Sequence, residues 1–407
     1  MMGRRVVITG MGIWSTLGQT LDQVRDALYE GKCGIVVDAQ RKELGFRSAL
    51  TSFVPRPELK GELSRQARST MGEPSLYAYC ATRDALRQAG VDPDYLDAHP
   101  VGLIFGNDST ADAVCRTHDT IRDLKATSLC GSGAVFQCMN SSVTMNLSVL
   151  FHLRGLSLTV SAACASGSHA VGLASTLIRD GLLDMVVCGG TQEVNPNATG
   201  SFDGIEAFSL REDAPEKASR PFDRDRDGLV PGGGAASLVL ESLESAQKRG
   251  ARPLAEVLGY GFSADGQHIS TPGVDGPFTA MSLALKHAGL SPADIGYINA
   301  HATSTVLGDA NEARAIVRLF GEKTVPVTST KGQTGHEMWM AGASELIYSY
   351  LMMRDGFLAA SLNFEHPDEK SARLQIVQQT REGRFDTFLS NSFGFGGTNA
   401  ALVVQKL

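Results

Sequence analysis

Runs of β-branched and apolar residues, four to eight long, recur along this chain with helical-length segments between them, and this alternation restricts the fold more than any other feature. VVIT at 6–9, VGLIF at 101–105, LSLTV at 156–160, MVVC at 185–188 and AASLVLE at 235–241 form one series. LAEVLGYG at 254–261, IGYINAH at 295–301, VPVTST at 325–330 and TNAALVV at 398–404 form a second. Runs this apolar suit strands covered on both faces, and their alternation with helices predicts an α/β architecture. A chain of 407 residues is too long for one simple core. We expect two fused halves, 1–250 and 251–407, although residue identity between them is too weak to prove a duplication.

Charge and punctuation exclude several classes. The net charge of -7 gives nucleic acid or an anionic membrane no global attraction, so an acidic partner needs a local basic patch. The start runs from Arg4 and Arg5 straight into a strand, without a signal peptide's apolar stretch. No segment approaches the roughly 18 apolar residues of a membrane span, so a soluble cytoplasmic protein is expected. Seven scattered cysteines without a C-x2-C pair argue against a disulfide framework and a zinc site. Gly10-Met-Gly12-Ile-Trp-Ser15 lacks the third glycine of a dinucleotide fingerprint and reads as a tight turn. Asp223 to Gly228 imitates a calcium loop but has Gly234 where a bidentate glutamate is required; the Gly-rich, charged stretch 211–234 reads as an exposed, salt-bridged loop.

Four segments carry chemistry. In LTVSAACASGSHAVGLAS, 158–175, Cys164 sits where a strand gives way to a helix, among Ala162, Ala163, Ala165 and Gly167. A helix N-terminus lowers a thiol's pKa, which suits a nucleophile; on its own, the same residue also reads as a buried core cysteine. INAHATSTVLGDANEA places His301 after a strand, and VTSTKGQTGHEMWMAGASE places Lys331 and His336 after another. In open α/β sheets such carboxyl ends face the ligand crevice, although each histidine alone could be structural. Neither histidine has metal-site spacing, so no metal is expected. SNSFGFGGTNAALVV, 390–404, carries Phe393 and Phe395 in a Gly-rich turn that could supply an oxyanion donor, an aromatic gate or a simple bulge.

Together, SAACASG, NAHATST, STKGQTGH and NSFGFGGTNA closely resemble the four active-site signatures of the β-ketoacyl-acyl-carrier-protein synthases, in order and at similar spacing across the whole chain. The resemblance implies a thiolase-like duplicated five-layered α/β/α/β/α sandwich. It implies a decarboxylative Claisen condensation of malonyl-carrier with an acyl thioester held on Cys164, extending a fatty-acyl or polyketide/polyene chain by two carbons. In that scheme His301 and His336 are the catalytic histidines and Lys331 supports them. Glu312 orders the site through water or a cation, Phe395 is the gate, and the N–H groups of Cys164 and Phe395 form the oxyanion hole. No cofactor is implied, since phosphopantetheine belongs to the acyl carrier protein. The implied partners are that carrier and a second copy of the chain, or a related subunit. Arg65, Arg68, Arg122 and Lys125 lie near the segments the family uses to meet the acidic carrier.

Three departures from the family pattern bear on the substrate. Ala302 stands where HGTST has glycine, and Trp339 and Met340 enter a helix start that usually reads SLGAAGA. Asn107 and Asp108 replace a Gly/Ser turn at the acyl pocket, making that pocket polar and disfavouring long saturated chains, so a specialised short, unsaturated or aryl-primed polyene substrate is expected. The rival reading is a non-catalytic or partner-dependent chain-length subunit. Such partners typically lack the cysteine, and Cys164, His301, Lys331 and His336 together argue against it.

Overall fold

The computed structural model describes residues 3–407. Eleven strands form its main sheet: β1 Val6–Trp14, β2 Gly102–Gly106, β3 Ser157–Val160, β4 Met185–Gln192, β5 Gly234–Ser242, β6 Ala255–Ala264, β7 Tyr297–Asn299, β8 Pro326–Thr328, β9 Gln375–Ile376, β10 Thr387–Gly394 and β11 Thr398–Lys406. Their spatial order is β9-β8-β7-β10-β11-β6-β1-β5-β4-β2-β3.

That order holds the duplication the residues could not prove. From β1 outward, the first half runs β1-β5-β4-β2-β3, with two antiparallel pairings followed by two parallel ones. From β6 outward, the second half runs β6-β11-β10-β7-β8 with the same succession. The two meet at a short antiparallel seam, Val7 opposite Glu256 and Ile8 opposite Ala255.

Helices complete five layers. On the outside, α1 (Glu73–Ala89) covers β1, β5 and β4, while α3 (Asp275–Ala288) covers β6 and β11, with α4 (Val306–Phe320) beside it. Between the halves lie α2 (Ser166–Arg179) and α5 (Ala341–Asp355), which pack on each other and on strands of both. The sequence of α5 fits that position, because residues Ala341 through Met353 are all buried. Each large aliphatic side chain sealed there contributes about 1.5–3 kcal/mol.

Gly10 and Gly12 are not a turn. They lie within β1, where a Cβ would stand 2.1 Å from the Ala85 carbonyl oxygen and 2.0 Å from that of Ala81, both on α1. Gly259 and Gly261 of β6 meet Ala284 and Ala280 of α3 in the same way, at 2.1 and 1.9 Å. The glycines are there for close helix-on-strand packing, repeated in each half. The stretch 211–234 also departs from expectation. Its middle is buried, with Arg220 paired to Asp223 at 2.9 Å and Arg226 to Asp368 at 2.7 Å. Asp223 also accepts the N–H groups of Asp225, Glu365 and His366, so this charged loop is a structural knot.

Candidate active site

The parallel strands of both halves deliver their carboxyl ends to one place. Cys164 follows β3, and His301, His336 and Phe395 follow β7, β8 and β10. Ala163 takes a left-handed φ of 47°, which turns the chain sharply out of the sheet just before Cys164. Asp108 Oδ2 accepts the Ala163 N–H at 2.9 Å, and Ser166 Oγ accepts that of Ala162 at 2.8 Å, fixing the turn. The N–H groups of Phe395 and of Cys164 itself are directed at the sulfur. Gly394 leaves room for this, since a Cβ there would lie 3.0 Å from the Cys164 nitrogen.

His336 Nε2 is 3.0 Å from Cys164 Sγ. Its backbone is fixed on both sides, donating to the Val230 carbonyl at 2.7 Å and accepting from the Gly232 N–H at 2.8 Å. His301 meets His336 edge to face, with ring centroids 5.2 Å apart, and Phe393 stands 6.0 Å away on another side of His301. Glu312 positions His301 by direct contact: its carboxylate accepts the N–H of His301 at 2.9 Å, that of Ala302 at 2.7 Å and the Asn391 side-chain amide at 3.0 Å. Ala302 has no left-handed φ, so the backbone here does not require the family's glycine. Lys331 is buried and paired with Glu345.

The electrostatics reverse one expectation. Burial pushes the Cys164 thiol up to about 12, outweighing the Lys331 ammonium and the two N–H groups that favour the thiolate. Burial, then the Lys331 charge, holds His301 and His336 well below the ordinary imidazole value. The resting site is therefore a neutral thiol beside two neutral imidazoles. Donor atoms of Cys164, His301 and His336 fall within 4.8 Å of one another. They could hold a thiophilic cation, but a closed zinc site takes a fourth ligand that this group does not supply.

Cys164 is packed with Phe208, Leu229, Met338 and Trp339, with Phe202 against the cluster. Phe395, 38% exposed, stacks on Phe202 with centroids 5.9 Å apart, closing the aromatic wall toward solvent. Met340 is not part of this pocket; it points into the main core with Leu346, Ile347 and Leu351. Asn107 and Asp108 are both engaged with backbone, although Asn107 Oδ1 is buried without a partner among the described residues. Asn107 donates to the Asn140 carbonyl at 2.9 Å, and Asp108 is bound to Ala163, so both are occupied in holding backbone.

The four basic residues divide. Arg65 is exposed and, with Arg116, lines a surface cleft of about 1010 Å³. Arg68 donates to the Leu63 carbonyl at 3.2 Å, and Lys125 is exposed just beyond the helix Ala111–Leu124. Arg122 is offset by Asp119 and Asp123, each at 3.0 Å, which weakens it as a docking charge. Sequence reasoning missed Glu345, Asn391, Phe202 and Phe208. Glu345 and Asn391 lie inside the segments that carry Lys331 and Phe395 but show their role only through packing with distant residues, whereas Phe202 and Phe208 carry no local signal.

Sequence models of the beta-ketoacyl synthase N-terminal and C-terminal domains match residues 3–246 and 254–365. The chain is 38% identical over 407 residues to the 3-oxoacyl-[acyl-carrier-protein] synthase 1 of Escherichia coli K12, covering 99% of each chain. It superposes on the crystal structure of a beta-ketoacyl synthase from Burkholderia phymatum with a TM-score of 0.94 and 34% identity, covering 99% of this chain and 100% of the other. It also superposes on the ishigamide ketosynthase/chain length factor with a TM-score of 0.91 and 30% identity, over 100% of both chains.

Proposed function

The chain belongs to the β-ketoacyl synthase family, and from that premise we infer that it is a 3-oxoacyl-acyl-carrier-protein synthase using Cys164 as its acyl-carrying nucleophile. The observation that carries the assignment is His336 Nε2 lying 3.0 Å from a sulfur that two backbone N–H groups also address.

The chemistry follows from a site that is neutral at rest and polarised toward negative charge. As Cys164 Sγ attacks the acyl thioester, its proton leaves toward the carrier sulfur, with His336 Nε2 in reach to relay it. The carbonyl oxygen becomes anionic against the N–H groups of Cys164 and Phe395, and collapse releases the carrier thiol. Malonyl-carrier then binds, and carbon dioxide leaves as the electron pair moves onto the thioester oxygen. Neutral His301, and His336 with its proton on Nε2 at this step, donate to that oxygen; such donors are each worth about 3–4 kcal/mol in a dry site. The enolate carbon attacks acyl-Cys164, the same oxyanion hole is used again, and the expelled thiolate takes up the one proton the condensation consumes. Imidazole and backbone N–H groups thus meet every developing charge, and this reading gives no step to a metal or redox cofactor.

Acyl carrier protein is the partner this reaction requires, and Arg65 and Arg68 are the charges we assign to meeting it. The outer edge of β3 is unpaired, with Leu156 and Leu158 exposed beside it, which supports pairing with a second copy edge to edge. All seven cysteines are free thiols, which supports a cytoplasmic setting. Among the described residues no helix is long and apolar enough to cross a membrane.

Intact-protein mass after incubation with acyl-carriers tests the assignment. Wild type should gain the acyl mass, Cys164→Ala should not, and malonyl-carrier added to the acylated enzyme should restore the original mass with release of carbon dioxide. An adduct that persists in Cys164→Ala would refute the nucleophile.

A further inference from the structure

Trp339 stands where the family pattern has a small residue, and the structure puts it against the nucleophile. Its side chain belongs to the cluster containing Cys164, Phe208, Leu229 and Met338. Phe202 organises the rings around it, 6.3 Å from Trp339, 5.9 Å from Phe395 and 6.4 Å from Phe208, and lies nearly parallel to the last two, at 17° and 8°. Four aromatic side chains thus stand in or against the cluster that holds Cys164.

A tryptophan used only as filler would be a poor choice here. Trp339 is 7% exposed, and its indole Nε1 is buried with no acceptor among the described residues. An unpaired buried donor is costly, and phenylalanine would fill similar space without it. The described residues leave this donor free for a ligand. The thioester carbonyl is common to every acyl group; beyond it, a saturated chain offers the N–H no acceptor and the rings only dispersion contacts. A conjugated or aryl chain offers a flat π-face both to the stacked rings and to the N–H donor.

We propose that Trp339 is a specificity-determining residue and that the acyl group carried on Cys164 is planar and π-conjugated, a polyenoyl or arylenoyl chain, rather than saturated. The inference rests on the reading of Cys164 as the acyl-carrying nucleophile. Flatness matters because Phe202 and Phe208 are stacked nearly parallel, so a rigid sheet-like chain can slide alongside them without ordering rotatable bonds. A saturated chain would have to freeze each torsion in the same space.

Matched carriers test this on the full-length enzyme. Octanoyl-, octatrienoyl- and cinnamoyl-carriers are offered separately, and the rate of Cys164 acylation is followed by intact mass for wild type, Trp339→Phe and Trp339→Ala. Wild type should load the two conjugated chains about tenfold or more faster than octanoyl. Trp339→Ala should bring the rates within about threefold of one another, and Trp339→Phe should fall between. Trp339→Phe keeps a ring and most of the volume, so it reports even where Trp339→Ala fails to fold. Equal or faster loading of octanoyl by wild type overturns the proposal, as does a preference unchanged in both variants. Loading of no carrier by wild type refutes instead the underlying reading of Cys164.

Discussion

Replacing Glu312 by glutamine should slow decarboxylation while leaving acylation of Cys164 almost untouched. In the wild type, Oε1 accepts from the His301 N–H and the Asn391 amide, and Oε2 accepts from the Ala302 N–H. Glutamine keeps one oxygen and presents an NH2 group in place of the other. In its better orientation it serves His301 and Asn391 but opposes the Ala302 N–H; in its worse one it opposes two donors. The smallest loss is one unpaired buried donor, about 1–3 kcal/mol, or a factor of about 5 to 150 where that energy holds His301 in place. His336 and Cys164 are anchored separately, through Val230, Gly232 and the Asp108–Ala163 contact, so the loading step keeps its geometry. Single-turnover acylation by mass and carbon dioxide release from malonyl-carrier measure the two steps apart. The pH dependence should agree, because burial raises the Glu312 pKa above its ordinary value. Acidification protonates the carboxylate and removes an acceptor, so wild-type decarboxylation should decline on the acid side as the glutamine variant's does at all pH. Both steps falling by one common factor, or neither falling, would refute the argument.

Lys331→Met should move the acid limb of the decarboxylation profile to higher pH. The lysine charge depresses both histidines, so without it they protonate at higher pH and lose their neutral donor form sooner on acidification. A uniform loss of rate with an unmoved acid limb would mean that Lys331 only supports packing. Gly12→Ala should cost about 3 kcal/mol or more, read as a lowered denaturation midpoint, because its Cβ would stand 2.0 Å from the Ala81 carbonyl oxygen of a buried helix. An unchanged midpoint would refute the close packing of β1 on α1.

The strands were legible because their burial is written locally. The run MVVC marks a β4 whose eight residues are all buried, and AASLVLE marks β5 to within a residue at each end. What failed locally was anything decided by a distant partner. GMG at 10–12 looks like a turn until α1 is known to press on it, and the charged 211–234 stretch looks exposed until Asp309, Glu365 and Asp368 arrive to pair with its arginines. The site divides the same way. Cys164, His301 and His336 sit at strand ends and announce themselves, whereas Asn391 and Glu345 matter only because β10 and α5 fold back beside them. The thiol pKa was misjudged for the same reason: a helix N-terminus is visible in sequence, and complete burial is not.

The duplication explains why the site favours developing anions while Cys164 itself stays neutral at rest. Cys164 lies between β3 and α2, and His336 lies between β8 and α5, at equivalent strand-to-helix junctions of the two halves. Each junction brings a helix N-terminus to the shared centre, and Lys331, although paired with Glu345, acts on Cys164 and both histidines as a positive charge. Burial first, and then that charge, keep both histidines neutral, and the same charge lowers the energy of any oxygen or sulfur that becomes negative. Burial opposes that negative charge in the empty site and keeps Cys164 protonated. Once substrate is bound, the negative charge forms on a carbonyl oxygen already aimed at N–H donors, and that part of the penalty is offset. Each step of the condensation passes through such an anion: a thiolate, an enolate or a tetrahedral oxyanion. One preorganised positive field, built from two copies of the same strand-to-helix junction, therefore serves all three.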